Sequence, residues 1–254
     1  MSSSQTSIIQ SIYDERSPNY DTSHHGALAE AYIRTAAPRE GESVLDLACG
    51  TGLVSFLAEQ AVGKPGLVVG VDISPGMLDV ARHKAQQTGS NVTFLQHDIS
   101  HLSGVGLESM LPPGEEGFDL ITCAAALVLL PDPGRAVRGW MRWLKPGGRI
   151  VTDVAARDVH VPREWSLREL LEGAGLVVKT VFLTESFQDR VYSVADAGEV
   201  FERAVSSPMF RNFGDSGVRD EAKRLFVKRF AEEAGAEGVL VDEAKMYLAV
   251  AYKL

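Results

Sequence analysis

Cysteine is scarce in this chain, with two in 254 residues, Cys49 and Cys123, each inside an apolar, strand-like segment. That number excludes a disulfide framework and a four-cysteine metal site, so no metal centre is expected and both thiols read as small core residues of a reducing compartment. Basic charge is also short: 25 lysines and arginines stand against 34 aspartates and glutamates, a formal net charge of -9. Without a positive field to attract phosphate backbones or anionic lipid, neither nucleic acid nor a membrane surface is expected as a partner. The longest predominantly apolar run, Ile121 to Leu130, is about half of the roughly 20 residues that a membrane span requires. The opening stretch, MSSSQTSIIQSIY, lacks both the positive and the apolar region of a secretory signal. These absences point to a cytoplasmic protein acting on something small; a monomer or a homodimer is expected.

What is present is core-forming capacity, with 45% of residues apolar, and an alternation of short β-rich runs with helix-length amphipathic runs. That pattern is the mark of βαβ units and a parallel sheet covered on both faces. It predicts strands near 43–48, 67–72, 92–97, 118–124 and 148–155, with helices near 52–62, 75–88, 101–111 and 133–144. Glycine and proline punctuate the junctions, as at Gly63-Lys64-Pro65-Gly66, where turns need backbone that glycine adopts cheaply. After residue 155 the alternation loosens. A helix ending near Gly175, a β-rich stretch at 176–187, two or three amphipathic helices at 197–236 and a strand-like terminus at 245–254 are expected. A helical insertion placed there would lie over the carboxyl edge of the sheet, where open α/β folds bind ligands.

The most informative segment is VLDLACGTG, residues 44 to 52, a strand that breaks into a glycine turn and feeds a helix. Gly50 and Gly52 let a ligand approach the backbone, and the helix start offers free N–H groups. A dinucleotide fingerprint would continue to a third glycine, but that position is Ser55. Asp46 at the strand end would also repel a pyrophosphate, so the ligand should carry a cation here, an ammonium or a sulfonium. Asp72 closes the second strand in VVGVDIS and Asp98 the third in FLQHDIS. A carboxylate at the first of these positions can accept from both hydroxyls of a ribose, and the second could accept from an adenine amine. Ile73 and Met77 flank Asp72 and could sandwich an adenine ring.

At these residues the chain resembles the class I S-adenosylmethionine-dependent methyltransferases, small-molecule branch, similar to those of ubiquinone and menaquinone biosynthesis. VDISPGML at 71–78, FDLITCAAALVLLPDP at 118–133 and LKPGGRIV at 144–151 carry the likeness beside the glycine turn. The resemblance implies an α/β, Rossmann-like, doubly wound sheet. It would be mostly parallel and seven-stranded with an antiparallel last strand, N-terminal helices, and a helical insertion before that strand. It implies a single methyltransferase domain over 1–254, with a helical cap at 1–38, a cofactor-binding core at 39–155, and substrate-side strands and a helical lid at 156–254. The cofactor would be S-adenosyl-L-methionine and the product S-adenosyl-L-homocysteine. Asp46 and the carbonyl of Ala48 would hold the methionine ammonium, completed by the carbonyl of Cys123 or Ala124. Gly50 and Gly52 would admit the cofactor, Asp72 would take the ribose, Ile73 and Met77 the adenine faces, and Asp98 with the backbone of Ile99 the adenine edge. In YDERSPNYD at 13–21, Tyr13 and Tyr20 match tyrosines that close over the cofactor's carboxylate.

One departure matters: where many relatives carry a histidine after the Ala-Leu pair of the fourth-strand motif, this chain has Val128. A general base is needed only if the acceptor must lose a proton. The candidates here are His160, beside Asp158, and the pair His24 and His25. Phe187, Tyr192, Met209 and Phe210 are candidate lining for a hydrophobic small-molecule acceptor. The expected activity is transfer of a methyl group to an O, N, C or S atom of a metabolite. A protein keeping this pocket for a cofactor-assisted cyclisation, or serving as a regulatory subunit, would share the same motifs.

Overall fold

In the computed structural model, residues 2–22, 24–155, 167–205 and 216–254 are described. Helix α1 (Ser2–Arg16) runs through a 3-10 turn at Ser17–Thr22 into α2 (His25–Ala36). Then β1 (Ser43–Leu47), α3 (Leu53–Val62), β2 (Leu67–Asp72), α4 (Pro75–Thr88) and β3 (Thr93–Gln96) alternate, followed by β4 (Phe118–Cys123), α5 (Pro133–Trp140) and β5 (Leu144–Ala155). Beyond them lie α6 (Leu167–Gly173), β6 (Val177–Leu183), β7 (Asp189–Ser193), α7 (Ala197–Val205), α8 (Ser216–Ala234), β8 (Val239–Glu243) and β9 (Met246–Tyr252).

The local chemistry explains the boundaries. Helix α4 starts where Ser74 accepts the Met77 N–H at 3.0 Å and Pro75 supplies a preset φ, and it stops at Gly89, whose φ of 69° no other residue adopts cheaply. All five residues of β1 are buried, as befits a central parallel strand covered on both faces. Alternation sends Leu45, with Val69, Ile121 and Ile150, to one face, where Trp140 and Phe118 pack. It sends Val44, with Val68, Leu120 and Val151, to the other, against Tyr32, Ala58 and Leu78. Each of these large side chains contributes roughly 1.5–3 kcal/mol of burial.

The seven-stranded sheet has the order β3-β2-β1-β4-β5-β9-β6, parallel throughout except for β9, which runs antiparallel to both β5 and β6. The antiparallel last strand is thus as expected. β1 sends its successors β2 and β3 to one side while β4 lies on the other, so the carboxyl ends of β1 and β4 flank a crevice. Two expectations need correction. The predicted helix at 101–111 is reduced to a 3-10 turn at Leu107–Ser109, because Gly104 and Gly106 take φ of 80° and 82° and interrupt any longer run. The insertion holds, besides its helices, a two-stranded ribbon in which β7 and β8 pair antiparallel. The chain leaves β6 and re-enters β9 at the carboxyl edge.

Candidate functional site

A cleft of about 690 Å³ opens at the carboxyl edge. It continues into a hollow of about 390 Å³, with which it shares Tyr20, Ala48, Gly50, Ala124 and Ala125. Asp72 and Asp98 border the larger space and Asp46 the smaller, so the three strand-end acids lie around two adjoining spaces that share those five residues.

Each acid is held differently. Asp46 is 1% exposed, and its two oxygens accept from Ser55 Oγ at 2.6 Å and Thr122 Oγ1 at 2.8 Å. Burial pushes its carboxyl up to about 6, against the pull of those hydroxyls. Asp72 accepts the Gly50 and Ser74 N–H groups, both at 2.8 Å, which ties the glycine turn to the start of α4; burial raises its carboxyl too. Asp98 accepts the Ser100 N–H at 2.8 Å through one oxygen, and among the described residues the other oxygen has no partner. Beside it, the Ile99 carbonyl accepts from the Trp140 indole at 2.7 Å.

Ile73, Met77 and Ile99 line the larger space with Leu129, Leu130 and Pro131, and α1 roofs it with Thr6, Ile9 and Tyr13. Most of that lining is apolar. The roof is fastened by two Tyr-Asp pairs. Tyr13 and Tyr20 border the cleft 6.3 Å apart, edge to face, with the Arg16 guanidinium over both rings. Burial raises both phenols. Asp14 accepts from Ser74 Oγ at 2.6 Å and the Gly76 N–H at 2.9 Å; a Cβ at Gly76 would meet Asp14 at 3.1 Å. Asp21 accepts from Thr51 Oγ1 and pairs with Lys84, both at 2.5 Å. Both fasteners grip the loops that carry the acids. Among the described residues, none of the insertion borders the cleft, which is covered from the N-terminal side instead.

Of the predicted residues, Tyr13, Tyr20, Asp46, Ala48, Gly50, Asp72, Ile73, Met77, Asp98, Ile99 and Ala124 all border the cavity. Gly52 does not. Its side is filled by Phe56 and Phe94, whose rings would lie 2.7 and 3.0 Å from a Cβ there, so packing and its φ of 85° account for a glycine at this position. Cys123 is not among the lining residues, and its carbonyl accepts from Thr152 Oγ1 at 3.0 Å and lies 2.9 Å from Tyr32 Oη, whose one proton it shares with Asp153. Of the two candidates, only Ala124 borders the cavity among the described residues. His25 borders the smaller hollow, stacked on Tyr20 at 4.2 Å; burial, then neighbouring His24, pull its pKa down to about 4. His24 stacks on His25 but is not among the cavity-lining residues. Tyr192 packs edge to face on Phe230, and Phe187 packs on the core, so neither borders the cleft. His160, Asp158, Met209 and Phe210 lie outside the described residues. The sequence reading missed Asp14, Asp21, the 129–131 wall and Asp153, although the repeated Tyr-Asp pair was a visible signal for the first two.

Residues 38–198 match the family model of the methyltransferase domain. The ubiquinone biosynthesis O-methyltransferase of Coxiella burnetii is 35% identical over 128 residues, 50% of this chain and 49% of that one. The 2-phytyl-1,4-naphtoquinone methyltransferase of Synechococcus elongatus is 32% identical over 168 residues, 63% of this chain and 67% of its own. The chain spans about half the length of the first of these relatives. A crystal structure of a SAM-dependent methyltransferase from Aquifex aeolicus aligns with a TM-score of 0.50 at 25% identity, covering 60% of this chain and 81% of that one. The matched family, the relatives and the sheet order agree: the chain belongs to the class I S-adenosylmethionine-dependent methyltransferases.

Proposed function

We propose that the chain transfers the methyl group of S-adenosylmethionine to an apolar, quinone-type small molecule, as one domain in which residues 1–38 cap the cofactor-binding core. The observation that carries this reading is the placement of Asp46, Asp72 and Asp98 around two adjoining spaces beside the glycine turn.

The donor set suits the cofactor. Asp46 and the Ala124 carbonyl would hold the ammonium, and Asp72 the ribose hydroxyls, through acceptor capacity left after its two N–H bonds. The unengaged oxygen of Asp98 and the Ile99 N–H, which has no partner among the described residues, would read the adenine edge between Ile73 and Met77. Bound there, the cofactor supplies an electrophilic methyl on a sulfonium. The residues contribute alignment and exclusion of water, which together account for much of a displacement's acceleration. Tyr13, Tyr20 and the apolar wall of Leu129, Leu130 and Pro131 keep solvent out. The low pKa of His25 leaves it neutral at pH 7 and a weak base, so it gives little help to an acceptor that must lose a proton.

The relatives' names support the quinone class, since one concerns ubiquinone and the other a naphtoquinone. The test is incubation with radiolabelled S-adenosylmethionine and a panel of demethylated quinols. Labelled product with equimolar S-adenosylhomocysteine is expected; cofactor binding without transfer to any quinol would overturn the substrate class.

A further inference from the structure

We propose that Asp153 of β5, which belongs to no motif of the cofactor cleft, is a positioning residue that aims the Ala124 carbonyl by holding the other end of the same peptide unit. The inference rests on the assignment of Ala124 to the ammonium site.

Asp153 is 1% exposed. Its Oδ1 accepts the Ala125 N–H at 2.7 Å and also meets the hydroxyl of the fully buried Tyr32. Its Oδ2 is buried without a partner among the described residues. A buried carboxylate oxygen left unpaired is costly and calls for an explanation. Ala125 supplies one. Its φ is 54°, a left-handed conformation that disfavours any residue with a Cβ, and it borders both spaces of the cleft. Something must hold it there.

The Ala125 N–H and the Ala124 C=O belong to one peptide bond, and the described residues contain no cis peptide. In a trans peptide these two groups point in opposite directions. A carboxylate that captures the N–H therefore turns the carbonyl directly away from itself. Rotating that peptide by half a turn would carry φ of Ala125 into the ordinary negative region and reverse the carbonyl, so the strained orientation persists only while Asp153 grips it. The preceding peptide is pinned from Tyr32 and Thr152 through the Cys123 carbonyl. Ala124 is thus clamped on both sides, and Asp153 supplies the clamp that sets its direction.

Three variants test this. Amide NMR of the cofactor-free protein reads the clamp itself: the Ala125 N–H should be shifted downfield and exchange slowly in the wild type, and Asp153→Ala should abolish both. Calorimetry with S-adenosylhomocysteine reads the consequence, with affinity about tenfold weaker in Asp153→Ala and about threefold weaker in Asp153→Asn, which keeps an oxygen acceptor. Adding Ala125→Gly removes the penalty on positive φ and should restore a large part of the affinity to either variant. A merely structural aspartate would not be rescued in that way. Unchanged affinity in Asp153→Asn and Asp153→Ala, or Ala125→Gly leaving the loss intact, overturns the proposal; should Asp153→Ala fail to fold, Asp153→Asn with and without Ala125→Gly decides it. A wild type with the expected Ala125 signal but no affinity for S-adenosylhomocysteine would instead sink the cofactor assignment and with it the role proposed here.

Discussion

Two regions of the molecule place their charged groups differently. Around the cleft, three acids are buried and gripped by named donors: Asp46 by two hydroxyls, Asp72 by two backbone N–H groups, Asp153 by a tyrosine and a peptide. In the insertion, β7 and β8 pair with Val191 and Val241 opposite each other at 66% and 53% exposure. There α7 and α8 pack Phe201 against Phe226 and are joined on the outside by open ion pairs from Glu202 to Arg219 and Lys223. Exposed pairs of that kind contribute little, whereas buried acids are costly to keep. Where a chain retains a costly arrangement, a ligand that relieves it is the natural reason.

That contrast can be sharpened or broken, beginning with the largest expected effect. Replacing Asp46 with Asn should weaken cofactor binding by about 3–5 kcal/mol, because an ammonium would be left facing a neutral group; calorimetry measures it. The same change should stabilise the empty protein at pH 7. The folded-state pKa of Asp46 is raised from 3.8 to about 6, so protonation favours the native state below pH 3.8. That stability is lost as pH rises through about 6, by about 3 kcal/mol at 1.36 kcal/mol per unit. Denaturant melts across pH 4 to 7 should show the decline in the wild type and a shallower one in Asp46→Asn.

Asp72→Ala should cost about 1–3 kcal/mol of cofactor affinity through lost ribose hydrogen bonds, with some loss of stability from the two N–H groups it abandons. Asp21→Ala should unfasten the N-terminal roof and weaken the cofactor by about 1 kcal/mol, seen in stopped-flow as faster release. Ala48→Gly should be the mildest. Ala48 holds φ of 55°, so glycine removes a cost of about 1–2 kcal/mol while adding about 0.5–1 in chain entropy. A net gain of about 0.5 kcal/mol in a thermal melt is expected. In the insertion, Glu202→Ala should leave cofactor affinity unchanged; a loss there would erase the contrast between the regions.

The sheet and most of its helices were legible in the sequence, as were the residues that border the cleft, whereas the contacts that hold them were not, for physical reasons. Strand-end acids and the glycine turn were legible because βαβ periodicity places the residue that ends each strand at one edge. Side-chain identity, by contrast, says nothing about where a main-chain carbonyl points, so the sequence does not choose between Cys123 and Ala124, whereas the structure puts Tyr32 and Thr152 on the former. Asp153 meets Tyr32 across 121 positions of chain, a separation no local pattern reports. Gly52 looked like a ligand glycine because the motif places it there, yet its neighbours are the rings of Phe56 and Phe94. The helix expected at 101–111 failed on two glycines that were in plain view.

The most direct test of the central assignment is a crystal structure with S-adenosylhomocysteine bound. The amino group should lie in the smaller hollow between Asp46 and the Ala124 carbonyl, with the ribose on Asp72 and the adenine beside Asp98. An adenosyl group seated elsewhere, or a pyrophosphate resting on the glycine turn, would contradict it.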